Sequence, residues 1–399
     1  MDPRNNPYTP NAGARPPALV GRDAELEAFE ILLHRLSRGH TEQSMLITGL
    51  RGVGKTVLLG AFEDRAKNNG WATVEAEITK NEPFGPRMAQ MARRALFQVA
   101  PRVKWNDRIR RTAGILKSFS ITVSPDGSLT AGLDVDRVEG MADTGNLSDD
   151  ITDVFVAIGE AAQERGSGVA FLLDEVQFLQ LREFESLIAA LHRTVQRQLP
   201  ITLVGAGLPQ LPRLAGEAKS YAERLFKFPQ IGRLSEPEAE AALVEPARDL
   251  DVAYEPEAID AIVGYTEGYP YFLQEYGKIV WDAAPEGEVI SLAIVNEAQH
   301  TVESKLDESF FRVRAERTTE LELQYLRAMA ELGAGPQRAG DVATVLERTS
   351  EQLGPTRARL IDKGLLYTTG HGQGDFTVPQ FDRYMRRNYE LVVPPSRNK

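Results

Sequence analysis

The chain of 399 residues contains no cysteine, which excludes disulfide bonds and thiolate metal sites. Its five histidines are scattered and show no spacing typical of metal ligands. No apolar run approaches the roughly 18 residues of a membrane span, and the first residues lack the apolar core of a signal peptide. We therefore expect a soluble, cytoplasmic protein that does not enter a membrane.

A general excess of basic residues is also missing. The formal net charge is −11, which argues against a protein that coats nucleic acid non-specifically. One stretch departs from this average, because residues 87–111 contain eight Lys or Arg and a single acid, with Trp105 in their midst. This stretch either contacts nucleic acid or forms an ordinary solvated helix face.

The sequence does contain a complete phosphate-binding loop. Residues 49–56 read GLRGVGKT, which matches GxxxxGK[ST]. The loop follows an apolar, strand-like run and precedes a helical pattern, so bound phosphates would lie at a helix N-terminus. Lys55 is expected to bind the β- and γ-phosphates, and the Thr56 hydroxyl is expected to bind Mg²⁺. The loop residues expected to contact the nucleotide are Gly49, Gly52, Val53, Gly54, Lys55, Thr56 and Val57.

A second motif supplies the carboxylates that phosphoryl transfer needs. Residues 169–173 form a continuous apolar run that ends in Asp174 and Glu175, which is typical of a parallel strand buried on both faces. Asp174 is expected to hold Mg²⁺ with Thr56, and Glu175 to orient or deprotonate the attacking water. The alternative is an acidic pair that merely ends a strand at the surface. The upstream loop favours catalysis, so the sequence predicts an ATPase with ATP and Mg²⁺ as cofactors.

The order of patterns divides the chain into parts. Residues 1–17 are rich in Pro and Asn and predict a tail that is either disordered or draped over the fold. Residues 18–232 alternate strands with helices, which predicts a three-layer α/β domain around a mostly parallel sheet. Apolar alternation on both sides of Pro125-Asp126-Gly127 predicts a β-hairpin insert at about 117–137. Residues 233–312 are helical and predict a smaller lid domain.

Residues 313–395 predict a winged helix-turn-helix, because three helical patterns precede two strands around a Gly-rich turn at 370–374. The third helical pattern ends at Lys363 and would be the recognition helix. The DNA-binding candidates are Gln352, Thr356, Arg357, Arg359, Lys363 and His371. Winged helices also dock proteins, and this one is close to electroneutral. Duplex DNA and a protein partner therefore both stay open as its ligand.

Taken in order, these motifs resemble AAA+-type P-loop ATPases of the Orc1/Cdc6-like and archaeal-ATPase kind, which are related to STAND signalling ATPases. The run LVGRDAEL at residues 19–26 is similar to the VGR(D/E)xEL box that opens these proteins. By this resemblance, the residues that lie by the adenine are Val20, Gly21 and Arg22. The sequence Gly-Tyr-Pro at 268–270 is similar to a GxP motif of the lid, which implies that Pro270 contacts the nucleotide.

The resemblance also implies a second arginine and a mode of action. Arg224 stands where such proteins carry an arginine finger, which acts across the interface of a homo-oligomer; the alternative is a surface arginine paired with a neighbouring glutamate. The strand at 201–205 runs into Gly205-Ala206-Gly207, where the family carries a polar sensor, and this favours a slow switch over fast turnover. Two functions follow. Either the winged helix of an ATP-dependent switch binds duplex DNA, or the winged helix and hairpin of a STAND-like signalling or defence ATPase dock a protein partner.

Overall fold

The structure is a computed structural model, which describes residues 1–11, 13–101, 105–285, 287 and 289–392. Its N-terminal part is built on five strands: β1 Ser44–Thr48, β2 Ala72–Glu77, β3 Val169–Asp174, β4 Ile201–Gly207 and β5 Phe226–Lys227. All are parallel, in the order β2-β3-β4-β1-β5. Strand β1 therefore brings the phosphate-binding loop to the middle of the sheet, next to β4 and one strand away from β3.

Helices cover both faces of this sheet: α1 Asp23–Ser37, α2 Lys55–Asn68, α3 Phe84–Val99, α4 Asp107–Val123, α5 Leu147–Glu164, α6 Leu181–Gln196, α7 Leu211–Ala218 and α8 Ala222–Leu225. Alternate residues of β3 enter opposite cores. Ala170 and Leu172 pack with α1 and α2, whereas Phe171 and Leu173 pack with α3 to α6. The predicted three-layer α/β fold is confirmed.

A helical lid follows the sheet. It consists of α9 Glu236–Arg248, α10 Pro256–Thr266, α11 Pro270–Ala283 and α12 Leu292–Leu306. Helix α9 begins with a capping box between Ser235 and Glu238, with a proline in its first turn. A π-helical turn, Asp307–Arg312, and the short helix α13, Val313–Ala315, join the lid to the C-terminal unit. We call these two elements the linker.

The C-terminal unit contains α14 Glu320–Glu331, β6 Gln337–Arg338, α15 Ala339–Val345, α16 Ser350–Asp362, β7 Leu366–Gly370, β8 Gln373–Phe376 and α17 Phe381–Asn388. The three helices and the hairpin occur in the predicted order, with β6 added to make an antiparallel sheet β6-β8-β7. The identification as a winged helix stays a prediction, and its predicted end at 395 lies outside the described residues. None of the helices in the described ranges is long and apolar enough to cross a membrane.

The predicted β-hairpin insert at about 117–137 is wrong. Helix α4 occupies most of that range; the Asn106 side chain caps it by accepting the N–H of Ile109 at 3.0 Å. Phe119 is fully buried where α4 packs on α3 and α5, so helical burial outweighs the β-propensity of the last turn. The turn is present, since Gly127 has φ of 73°, but only a 3₁₀ turn, Ser128–Thr130, follows it.

Of the 17-residue tail predicted to be disordered or draped over the fold, residues 1–9 pack against the lid. Tyr8 is 2% exposed; its hydroxyl donates to the carbonyl oxygen of Leu243 at 2.5 Å and lies 2.7 Å from the Tyr254 hydroxyl. Asn6 Nδ2 donates to the carbonyl oxygen of Lys278 at 2.9 Å. A single buried aromatic anchors the segment, which its Pro- and Asn-rich composition did not indicate.

Candidate nucleotide site

The phosphate-binding loop joins β1 to α2, and two of its glycines show why the loop needs this residue. Gly54, directly before α2, has φ of 91°, a left-handed conformation that side chains disfavour. Gly49 begins the loop, and a Cβ atom there would lie 2.5 Å from the carbonyl oxygen of Ile231. Helix α2 starts immediately after this turn, so its first N–H groups are available to an anion.

Lys55 lies at the start of α2 with its ammonium group buried. It donates to the carbonyl oxygens of Gly49 and Leu50 at 3.0 and 2.8 Å. Burial lowers the pKa of Lys55 to about 8, and the nearby carboxylates of Glu175 and Asp174 oppose that shift. Carbonyl dipoles neutralise an ammonium only in part, so this buried cation would gain free energy from an anionic ligand.

The hydroxyl and the carboxylate predicted to hold Mg²⁺ are in contact. Thr56 Oγ1 donates to Asp174 Oδ2 at 2.5 Å. Magnesium in nucleotide sites is typically bound by one or two protein groups, and phosphates and water complete its shell. No cluster of three or more His, Cys, Asp or Glu that could hold a metal occurs in the part of the chain that the structure describes. The pair therefore fits a magnesium–nucleotide complex.

Glu175 is held in an unusual conformation beside this pair. Its φ is 55°, a left-handed value that costs a non-glycine residue energy and is concentrated at functional sites. Its Oε1 atom lies 3.5 Å from Arg51 Nη1, and its Oε2 atom accepts a hydrogen bond from the Gln177 side chain. Both oxygens of the predicted base are thus engaged within the protein.

A cavity of about 520 Å³ lies over the loop between the sheet, the lid and the linker. The predicted residues that line it are Val20, Arg22, Gly52, Val53, Gly54, Lys55, Thr56, Val57, Asp174, Glu175 and Pro270. Gly21 and Gly49 do not line the cavity but adjoin residues that do. The N-terminal segment supplies a further wall through Thr9, Asn11 and Pro16, and the linker supplies Arg314.

Comparison with known proteins identifies this domain. The AAA ATPase domain family matches residues 18–204. Residues 18–204 are therefore similar to an AAA ATPase domain, and we call this part of the chain the AAA domain. A second family, a domain of unknown function (DUF8462), matches residues 308–385, which extend from the linker into α17. No curated protein is similar enough to the chain to match it.

Two solved structures share the fold beyond the AAA domain. The Walker-type ATPase PABY2304 of Pyrococcus abyssi is 16% identical with a TM-score of 0.54, over 93% of this chain and 97% of that one. The Aeropyrum pernix ORC2 protein, solved in ADPNP–ADP complexes, is 17% identical with a TM-score of 0.53, over 94% of this chain and 95% of that one. The fold expected from the family resemblance drawn from the sequence is confirmed.

The VGR box supports the AAA domain's loop from behind. Arg22 is buried, and its guanidinium donates to the carbonyl oxygens of Gly21, Val53 and Gly232. Burial lowers its pKa, while the carboxylates of Glu25 and Glu238 raise it. Arg22 thus connects the start of the AAA domain, the phosphate-binding loop and the chain before the lid.

The polar group expected at the end of β4 is supplied from another element. Gln177, in the 3₁₀ turn Val176–Phe178, contacts Glu175, and its Oε1 atom accepts the N–H of Leu208 at 3.1 Å. A Cβ atom on Gly207 would lie 2.3 Å from that Oε1. The small residues that end β4 therefore make room for a glutamine that connects the strand to the predicted base.

Arg224 lies away from the cavity of the AAA domain. It is exposed on helix α8, and no described residue pairs with its side chain. The described part of the chain therefore does not bear out a partnership with a neighbouring glutamate. Its role as an arginine finger requires a second copy of the chain and stays a prediction.

Most of the DNA-binding candidates are engaged in bonds within the C-terminal unit. Arg359 Nε and Lys363 Nζ donate to the two carboxylate oxygens of Glu322 at 3.0 and 2.6 Å. Arg357 donates to the carbonyl oxygen of Gln373 at 2.6 Å. Burial raises the pKa of Glu322, but hydrogen bonds from Lys363, Thr319 and Arg359 outweigh it, and the pKa falls to about 2.

The other three candidates differ in accessibility. Thr356 is 1% exposed, so its prediction as a DNA contact is wrong in this conformation: α16 turns that side chain inward. Gln352 is exposed and caps α16 by accepting the Thr349 N–H at 3.1 Å. His371 is exposed at the tip between β7 and β8.

The basic stretch at 87–111 is partly neutralised. Arg93 donates to the carbonyl oxygen of Ala131 at 3.0 Å, and Arg108 lies 3.4 Å from Glu164. Arg110 and Arg111 are exposed on α4. Two further cations of the stretch, at 102 and 104, lie outside the described residues. The surface therefore presents fewer available charges than the sequence count indicated.

Three residues that the sequence did not single out line or support the site: Arg51, Gln177 and Arg314. Arg51 occupies a variable position inside the loop, and Gln177 follows the acidic pair by two residues, so their closeness to the motifs was the available signal. Arg314 carries no local signal, because it lies 140 residues beyond Asp174 and reaches the cavity only through the fold.

Proposed function

We propose that the chain is a slow ATP-dependent switch whose C-terminal unit binds duplex DNA. The observation that carries the ATP site is the convergence of Lys55, Thr56, Asp174 and Glu175 at one cavity. In this mechanism the loop and Lys55 bind the phosphates, and bound Mg²⁺ would neutralise charge on the phosphate oxygens. Glu175 orients the attacking water and accepts its proton.

Slow turnover is supported by the state of the predicted base. Arg51 and Gln177 both contact the carboxylate of Glu175, so the base must lose or rearrange these contacts before it takes a proton. We expect turnover below about 10 s⁻¹, the median for enzymes. Measurement of phosphate release by the wild type and by Glu175→Gln tests this. The variant should bind ATP but not hydrolyse it, and equal rates would contradict the assignment of the base.

Coupling between the AAA domain and the C-terminal unit is supported by direct contacts at the loop. The backbone N–H of Arg51 donates to the carbonyl oxygen of Thr377 at 3.1 Å. The Tyr269 hydroxyl of the lid donates to the carbonyl oxygen of Arg51. Phosphates that bind beside Arg51 would therefore act on the junction of all three parts. DNA affinity measured with ATP, with ADP and without nucleotide should differ, and identical affinities would contradict a switch.

A second function is favoured by one observation, the pairing of Arg359 and Lys363 with Glu322. Cations neutralised in this way contribute little to DNA binding, so the C-terminal unit of a STAND-like signalling ATPase would dock a protein partner instead. The two functions separate in one experiment. Binding to a 30-base-pair duplex that weakens steeply with salt supports the DNA switch, whereas ATP turnover without any DNA binding supports the signalling ATPase.

Arg224 is proposed to act in a homo-oligomer. An arginine that reaches the γ-phosphate of a neighbouring copy would neutralise charge in the transition state. The exposure of Arg224 on α8 is compatible with that role. Turnover per chain should rise with protein concentration in the wild type and stay constant in Arg224→Ala. A wild-type rate that does not depend on concentration would contradict the role of Arg224 as an arginine finger.

A further inference from the structure

The cavity contains more positive than negative charge. Its cationic residues are Arg22, Arg51, Lys55 and Arg314, and its acidic residues are Asp174 and Glu175. Arg22 donates to three carbonyl oxygens behind the loop, and Arg51 lies 3.5 Å from Glu175. Arg314 also lines the cavity from the linker, and the ATP site described above gives it no role.

Arg314 is largely buried without a carboxylate beside it. Its Nη1 atom donates to the carbonyl oxygen of Phe310, and its guanidinium lies over the Phe310 ring, 4.2 Å from the ring centroid. Within the described ranges of the chain, no Asp or Glu forms an ion pair with it. Burial, and then the charge of Arg51, lower the pKa of Arg314 to about 10. Two neighbouring cations at a cavity, one of them unpaired, favour a polyanionic ligand.

The position of Arg314 relative to the loop indicates which part of the ligand it meets. Phe310 stacks on Tyr271 of the lid at 4.6 Å, and the Tyr271 Cβ atom lies 3.3 Å from where a Cβ of Gly52 would be. The stack of Tyr271, Phe310 and Arg314 thus starts at the loop. The charge of Arg51 acts on Arg314, and Arg51 also lies beside the predicted base Glu175. That base must approach the terminal phosphate.

We propose that Arg314 binds the terminal phosphate of a nucleoside triphosphate, in cis, from the linker between the lid and the C-terminal unit. This inference rests on the proposed ATP site. The lid residues that line the cavity are Leu234, Ala242, Pro270, Tyr271 and Gln274, all of them uncharged, so the linker supplies the cation that the lid does not. A diphosphate would leave Arg314 unpaired, and the linker would thereby distinguish ATP from ADP.

The test compares two affinities in one protein. The dissociation constants of MgATPγS and MgADP are measured by calorimetry for the wild type, Arg314→Gln, Arg314→Lys and the control Arg312→Gln. Arg312 lies on the same linker but is exposed and paired with Glu316. Arg314→Gln should weaken ATPγS binding about tenfold or more, the effect of a charged hydrogen bond, and ADP binding less than about threefold. Arg314→Lys should fall between, and Arg312→Gln should match the wild type.

Equal weakening of both nucleotides, or of neither, would overturn the proposal. Wild-type protein that binds neither nucleotide would instead refute the ATP site itself. Melting without nucleotide adds a readout that a structural role would move: removal of an unpaired cation beside Arg51 should leave the melting temperature unchanged or raise it, and a clear drop would count against the proposal. If Arg314→Gln does not fold, the proposal is tested on Arg314→Lys by the same ratio of the dissociation constants for ATPγS and ADP.

Discussion

Two groups of basic side chains in this protein differ in how far their charge is already neutralised. At the nucleotide cavity, Lys55 is bonded to carbonyl oxygens and Arg314 lies over an aromatic ring. On α16, Arg359 and Lys363 share the carboxylate of Glu322. Among the described residues, no carboxylate is bonded to Lys55 or Arg314, so both can bind an anion, whereas the two cations on α16 are already paired with a carboxylate. Phosphate binding is therefore much better supported at the cavity than on the C-terminal unit.

The largest expected effect is on ATP affinity and tests whether the cavity binds phosphates. Lys55→Ala removes the buried ammonium that would contact two phosphates, so ATP affinity should fall at least about a hundredfold, the sum of two charged hydrogen bonds. Lys67→Ala is the matched control, because Lys67 lies on the same helix but is exposed and paired with Glu63 at 2.9 Å. Fluorescence titration with a labelled ATP measures both. If the two variants bind alike, the cavity is not the nucleotide site.

The next effect concerns the base at the same cavity. Gln177→Ala frees one oxygen of Glu175 and removes the connection to Leu208, so the base loses its position. We expect turnover to fall about ten- to a hundredfold, within the range of general base catalysis, while ATP affinity stays within about twofold. Gly207→Ala should reproduce this result, because its Cβ would displace Gln177. Gln196→Ala, exposed on α6, is the control; loss of affinity in step with turnover would indicate a structural effect instead.

On the C-terminal unit, where the cations are paired, Glu322→Gln should lower the free energy of unfolding by about 1–3 kcal/mol at neutral pH, because charged hydrogen bonds from Arg359 and Lys363 are lost. The pKa of Glu322 is lowered to about 2 from about 4.3 in the unfolded chain. Its contribution is therefore complete above about pH 4.3 and disappears as pH falls toward 2. Denaturant unfolding of wild type and variant from pH 7 to pH 2.5 should show the difference shrink. Glu320→Gln, exposed on the same helix, should show no such trend.

The smallest expected effect is on DNA. Since Lys363 is already paired, Lys363→Gln should change the affinity for a duplex by less than about threefold. Glu322→Gln should instead strengthen DNA binding, because it releases two cations that neutralise phosphates, and Glu320→Gln has the same charge change without that release. Fluorescence anisotropy over a range of salt concentrations measures all three. A tenfold loss of DNA affinity in Lys363→Gln would contradict this comparison and show that the cations of α16 leave Glu322 when DNA binds.

The sequence predicted most of the AAA domain because its signals were local. The loop and the apolar run before Asp174 each contain their own chemistry within a few residues, so strand, turn and helix followed from spacing. The hairpin prediction failed for a physical reason. Residues 118–123 alternate like a strand, and only their burial against α3 and α5 makes them helical. For the tail, the disordered alternative was wrong for a similar reason, because Tyr8 contacts the buried hydroxyl of Tyr254, 246 residues away in the sequence.

By itself, the sequence predicted a phosphate-binding loop at a helix N-terminus beside a metal-binding carboxylate, because glycine backbone freedom, a lysine and an acidic pair are properties of short segments. Only the tertiary structure decided which charges are available to a ligand. Arg314 meets Arg51 at the cavity, and Glu322 neutralises α16, through contacts between distant segments. The interaction of a charge depends on its distance from other charges and from water, and folding sets both.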